Sequence, residues 1–200
     1  MADAPQHTPG KAATGITGLD DVLAGGLARG CAYLLEGDPG TGKTTVALQF
    51  LLEGAARGER GLYVTGQVAA LKKSGVTLSE SENELRNGAK SHGWTLGPEI
   101  EVFELVPPES LLDADQQQSL LYSSDLELGE TTRHIIEAVE RVRPARIVLD
   151  SLSEIRLLAQ GSLRYRRQIL ALKHYFARHG ATVLMLDDLT TEPDDGTVHS

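Results

Sequence analysis

The sequence predicts an α/β domain: a mainly parallel sheet with helices on both faces. Three observations carry that. Short aliphatic runs alternate with stretches whose apolar residues recur at helical spacing, the pattern of strands joined by crossover helices. In a chain of 200 residues, 40% hydrophobic content with only 4% aromatic suits one domain with an aliphatic, sheet-centred core. The first aliphatic run also passes through a glycine-rich octapeptide directly into a helical pattern.

Taken in order, residues 1–13 form a polar, proline-containing arm expected to be disordered, and Thr17 to Ala24 reads as a short helix closed by Gly25-Gly26. Cys31 to Leu35 is a short run of buried-strand type. The following Thr45 to Leu52 places Val46, Phe50 and Leu51 on one helical face. Further strands are expected at Gly61 to Thr65, Ile100 to Leu105, Arg146 to Leu149 and Ala181 to Leu186. Glu82 to His92 fits a short helix. Thr131 to Arg143 sets Ile135, Val139 and Val142 on one side before Pro144 stops it. Leu163 to His179 aligns Ile169, Leu172 and Phe176, with Gly180 as terminator. Pro107 to Gly129 shows no clear period and is read as a surface excursion. Right-handed crossovers then gather the strand ends at one edge of the sheet, where ligands of such folds sit.

Charge narrows the partners. The formal net charge of -9, with a pI near 5.1, disfavours nucleic acid and anionic membranes. One cysteine, Cys31, cannot form an internal disulfide, and in the strand before the loop it is expected to be a small buried thiol. The start of the chain lacks the apolar core of a signal peptide, and nowhere do about 18 apolar residues run together. Cytoplasmic residence and no membrane contact are the expectation.

The octapeptide carries the chemistry. Gly37, Asp38, Pro39, Gly40, Thr41, Gly42, Lys43 and Thr44 fit G-x-x-x-x-G-K-[ST] at every fixed position, a phosphate-binding loop between strand and helix. Glycines let successive amides point at phosphate oxygens, Lys43 supplies a point charge for the outer phosphates, and the Thr44 hydroxyl is a ligand for magnesium. A nucleoside triphosphate is the expected ligand. Arg146-Ile-Val-Leu-Asp150 ends an aliphatic strand in a carboxylate, the form of a second magnesium-holding position; Asp187 and Asp188 end another strand and compete for it. Hydrolysis also needs a group to orient or deprotonate water, and Glu80 is the candidate, with Glu82 and Glu84 too close for spacing to choose among them. No basic residue stands out to meet charge on the transferred phosphoryl group. Arg164, Arg166, Arg167 and Lys173 form a basic helix face, solvated or neighbour-contacting, and the six histidines show no metal-ligand spacing.

From Thr14-Gly-Ile-Thr-Gly-Leu-Asp20 through the loop to Thr45, the chain resembles the RecA superfamily and, within it, KaiC-type ATPase domains. The resemblance continues in order through Gly61-Leu-Tyr-Val-Thr65, Thr77-Leu-Ser-Glu-Ser81, Ser91-His-Gly-Trp94, Leu128-Gly-Glu-Thr-Thr-Arg133, Arg146 to Glu154 and Thr182 to Leu189, covering roughly residues 14 to 200. It implies a RecA-like P-loop NTPase that binds ATP with Mg2+, adds Thr45 to the nucleotide-contacting set, and assembles into homo-oligomeric rings, usually hexamers, that can signal to partner proteins. It also maps the catalytic glutamate onto Glu80 and the strand-terminal aspartate onto Asp150.

Two departures qualify the resemblance. Relatives pass directly from Tyr-Val-Thr to Leu-Ser-Glu, whereas residues 66–77 intervene here as an insertion; looped out, it leaves Glu80 usable, and otherwise hydrolysis fails while binding survives. Family domains also run on into further strands with basic residues that act on the neighbour's nucleotide, so a domain lacking its last strands, with slow turnover, is expected. Serine or threonine autophosphorylation belongs to the family, and no residue here demands it. A nucleotide-dependent binding module without hydrolysis and a DNA recombination or helicase-type motor are the competing readings. The acidic charge opposes the second.

Overall fold

The computed structural model describes residues 10–66, 80–105, 120–159 and 161–189. In chain order the elements are β1 (Lys11–Ala12), α1 (Thr17–Val22), β2 (Leu27–Ala28), β3 (Ala32–Gly37), α2 (Lys43–Ala56), β4 (Gly61–Gly66), α3 (Glu82–Ser91), β5 (Ile100–Leu105), α4 (Leu120–Val142), β6 (Arg146–Asp150), α5 (Leu152–Ala159), α6 (Ser162–Arg178) and β7 (Thr182–Asp188). The main sheet has five strands in the order β3-β7-β6-β4-β5, every neighbouring pair parallel. This is the predicted α/β architecture.

Strand alternation sorts the core into two layers. Leu62 and Val64 of β4, Ile147 and Leu149 of β6, and Val183 and Met185 of β7 face α4, α5 and α6, meeting Ile135, Val139, Ile155, Leu172 and Phe176. The residues between them, Tyr63, Val148, Leu184 and Leu186, face α2 and α3, meeting Phe50, Leu51, Leu85 and Ala89. The helical faces read from periodicity are the buried ones.

Several local expectations are corrected. Lys11–Ala12, inside the arm expected to be disordered, pairs antiparallel with Leu27–Ala28. Cys31 is exposed rather than buried. The cause is sheet order: β3 pairs only with β7 and lies at the edge, so Leu34 in its apolar run is 57% exposed. Part of the stretch read as a surface excursion is helical, because α4 begins at Leu120; residues 107–119 lie outside the described residues. The proposed insertion lies there too, apart from Gly66 at the end of β4.

A buried cation ties the layers to the N-terminal segment. Arg146 opens β6 and is 0% exposed. Its guanidinium donates to Glu59 Oε2 at 2.5 Å, the Ala13 carbonyl at 2.5 Å and the Phe50 carbonyl at 2.7 Å, and lies 4.8 Å from the centre of the Phe50 ring. α2 lets it pass only because residue 54 is glycine, where a Cβ would stand 2.5 Å from Arg146 Cδ. Glu59 also pairs with Arg29. Burial alone would raise the Glu59 carboxyl, but hydrogen bonds from Arg146 and Arg29 hold it below its ordinary 4.5.

Removing one partner of a buried pair leaves the other charge uncompensated, so Glu59→Gln is expected to lower the unfolding free energy by about 3 kcal/mol in urea titrations. The sign with pH follows from the lowered carboxyl. Its stabilisation is complete above the ordinary 4.5 and is lost as pH falls through the lower folded value, so the wild-type advantage over the variant should shrink in acid.

Candidate functional site

The phosphate loop joins the end of β3 at Gly37 to the start of α2 at Lys43. Gly40 (φ 80°) and Gly42 (φ 91°) adopt left-handed backbone that side chains resist, and this turns the loop back on itself. Thr41 braces it, its hydroxyl donating to the Asp38 carbonyl at 2.8 Å. The first helical bond of α2 runs from Val46 N to the Gly42 carbonyl at 3.0 Å, so the amides of Lys43, Thr44 and Thr45 precede the helix ladder and have no helical acceptor. The Gly42 N-cap supplies no side chain to them. Free first-turn amides and the positive helix end together suit a phosphate.

Lys43 is held in this cradle. Its Nζ donates to the Gly37 carbonyl at 2.8 Å and the Asp38 carbonyl at 2.9 Å, and lies 2.8 Å from Asp188 Oδ1. An ammonium with three acceptors is fully satisfied. To meet a phosphate it must exchange some of these partners.

Register decides which strand-end carboxylate faces the loop. Thr65, Asp150, Leu186 and Leu35 occupy one row across β4, β6, β7 and β3, on the α2 face. Asp188 lies two residues beyond Leu186 and therefore on the same face, beside Lys43. Asp187 falls on the opposite face, where it accepts from Ser153 at 2.9 Å and pairs with Arg156 of α5. Of the competing aspartates, Asp150 and Asp188 border the loop and Asp187 does not. Burial pushes the Asp150 carboxyl up; the Tyr63 hydroxyl and the Lys43 charge oppose that, and the Asp188 charge adds to it. The chain leaves β6 through a cis Asp150–Ser151 peptide.

The three glutamates beyond β4 separate in the structure. Glu84 closes a capping box at the start of α3, accepting from Ser81 N at 2.7 Å and Ser81 Oγ at 2.8 Å. Glu82 pairs with Arg86 at 2.7 Å. Glu80 has no hydrogen bond or ion pair on its carboxylate with another described residue, and its backbone carbonyl accepts from Thr65 Oγ1 at 2.7 Å. That bond returns the chain to the end of β4, near Asp150. Burial raises the Glu80 carboxyl, and the charges of Asp150 and Glu84 raise it further.

Among the described residues no group of three or more His, Cys, Asp or Glu could hold a metal by itself. The available donors near the loop are hard oxygens, the Thr44 hydroxyl and the Asp150 carboxylate. They fit magnesium, which keeps several waters and takes further ligands from phosphates. The basic side chains Arg164, Arg166, Arg167 and Lys173 are exposed on α6, across the sheet from α2. Two neighbours of the site escaped sequence reasoning in their roles. Tyr63 donates its hydroxyl to Asp150 Oδ2, and Asp188 is the partner of Lys43. The available signal was parity: two residues before Thr65 and one after Asp187.

A family model of the KaiC ATPase matches residues 12–198. The chain is 32% identical over 191 residues to the circadian clock protein KaiC3 of Synechocystis, an alignment covering 94% of this chain and 35% of that one. To a UPF0273 protein of Methanopyrus kandleri it is 28% identical over 183 residues, covering 90% and 67%. Among solved structures, a KaiC-like protein from Pyrococcus horikoshii matches with a TM-score of 0.66 at 26% identity, covering 90% of this chain and 70% of that one. The chain spans about a third of the length of the KaiC clock proteins it matches. With the match running over nearly every residue rather than the loop alone, the chain belongs to the KaiC ATPase family and has its RecA-type α/β fold.

Proposed function

We propose that the chain is an ATP-binding domain that hydrolyses ATP slowly with Mg2+ and signals its nucleotide state through assembly with further copies of itself into a ring, in clock-type or other regulation. The observation that carries the reading is a loop whose first-turn amides have no helical acceptor, with Lys43 and Asp150 bordering it and Glu80 close to Asp150. Lys43 and the amides of residues 40–45 bind the phosphates. Thr44 and Asp150 hold the magnesium, which when bound neutralises charge on the outer phosphates. Glu80, with no competing described partner, orients the attacking water and accepts its proton; its raised carboxyl suits a base. Ring assembly rests on the family relationship, and cytoplasmic residence on the sequence. No helix among the described residues is long and apolar enough to cross a membrane.

Lys43→Ala should remove a charge-assisted contact of about 1.5 to 3 kcal/mol, roughly 10- to 100-fold in ATP affinity by calorimetry. Unchanged affinity would contradict the site. Glu80→Gln is expected to retain ATP binding and lose phosphate release. Because the base works only when ionised, wild-type turnover should decline as the solution is acidified, with its midpoint above the ordinary glutamate value of 4.5. A profile flat through that region would move the base elsewhere, and binding without any release would leave a non-hydrolysing module. Asp188→Asn removes both a competitor for Lys43 and a negative charge beside the phosphates, so nucleotide affinity should rise, by roughly 3- to 10-fold. A weaker complex would show instead that Asp188 serves the bound state.

A further inference from the structure

Tyr63 lies in the middle of the parallel sheet, 0% exposed, among Phe50, Leu51, Val148 and Leu184. A phenol so placed must find an acceptor for its hydroxyl, and a backbone carbonyl would serve as well as any. Here the acceptor is Asp150 Oδ2. Register explains the reach: Tyr63 stands opposite Val148, one side-chain row below Asp150 on the same face, so the long ring lies along the sheet and delivers its oxygen to the row above. The buried hydroxyl thus meets the strand-end carboxylate that offers oxygen donors to a cation. Asp150 Oδ1 is left without a hydrogen bond to any described residue.

We propose that Tyr63 is a positioning residue for the divalent cation: by fixing Oδ2 of Asp150 from below, its hydroxyl turns Oδ1 toward the loop and presets the carboxylate for the metal or a water bound to it. This rests on the magnesium–nucleotide reading of the site. Tyr63 touches neither phosphate nor reacting water. It acts through Asp150, in the way that outer partners orient metal ligands elsewhere. A Phe at this position has the same ring and fills the same space, so the hydroxyl can be removed without opening a cavity.

The test compares wild type with Tyr63→Phe, reading Mn2+ binding to the protein–ADP complex by electron paramagnetic resonance and, separately, ADP binding in EDTA by calorimetry. The expected result is a roughly 10-fold weaker Mn2+ affinity in the ADP complex with metal-free ADP affinity unchanged. A hydroxyl that merely satisfies the core would lower the urea midpoint and leave Mn2+ affinity as it was, and that outcome overturns the proposal. So does an equal loss in both affinities. In an Asp150→Asn background Tyr63→Phe should add nothing to the loss of Mn2+ affinity, and a full additive loss there would mean that the tyrosine does not act through Asp150. Failure of wild type itself to bind ADP would instead sink the nucleotide reading on which the proposal stands.

Discussion

Side-chain alternation along strands held in parallel register is the constraint from which the site follows. Moving one residue along a strand carries a side chain to the other layer of the protein, and moving two brings it back. Tyr63 and Thr65, Val148 and Asp150, and Leu186 and Asp188 thereby share the side of the sheet occupied by α2. Asp187, chemically identical to its neighbour, is committed to Ser153 and Arg156 on the other side.

The electrostatics of that edge are unbalanced. Asp150 and Asp188 flank a single ammonium with Glu80 close to Asp150, and the carboxyls of Asp150 and Glu80 are raised by burial and by neighbouring carboxylates. Such a site is ill suited to a bare polyanion. It suits a polyanion that arrives with a divalent cation, which offsets the repulsion and relieves the crowding at Asp150 in one step. The Lys43–Asp188 pair is a local settlement of the same imbalance, and the loop carbonyls that share Lys43 keep the ammonium at the mouth of the cradle.

Much of this was legible in the chain itself, for identifiable reasons. The phosphate loop is a local pattern, and local patterns survive translation into structure. The helix faces of α2, α4 and α6 follow from apolar spacing, which is why Phe50, Val139 and Phe176 are buried as expected. The misreading of β3 depended on the order of strands, which no single run encodes. Cys31 and Leu34 belong to a run as apolar as any central strand, yet β3 has one neighbour and they meet solvent. The helix α5 went unassigned although Leu152, Ile155 and Ala159 recur at helical spacing, since its eight residues are too few to declare a period against a following glycine. Spacing could not separate Glu80, Glu82 and Glu84; in the structure Glu84 closes the capping box and Glu82 pairs with Arg86.

The passage of Arg146 beneath Gly54 makes one mechanical body of pieces far apart in sequence. α2 gives its first turn to the phosphate cradle and its Phe50 carbonyl to the guanidinium, which also grips the Ala13 carbonyl and Glu59. A tug on any of these is felt at the others through a rigid helix. The segment at Ala13 and the phosphate loop are thus ends of one connected path, joined through a single guanidinium and α2.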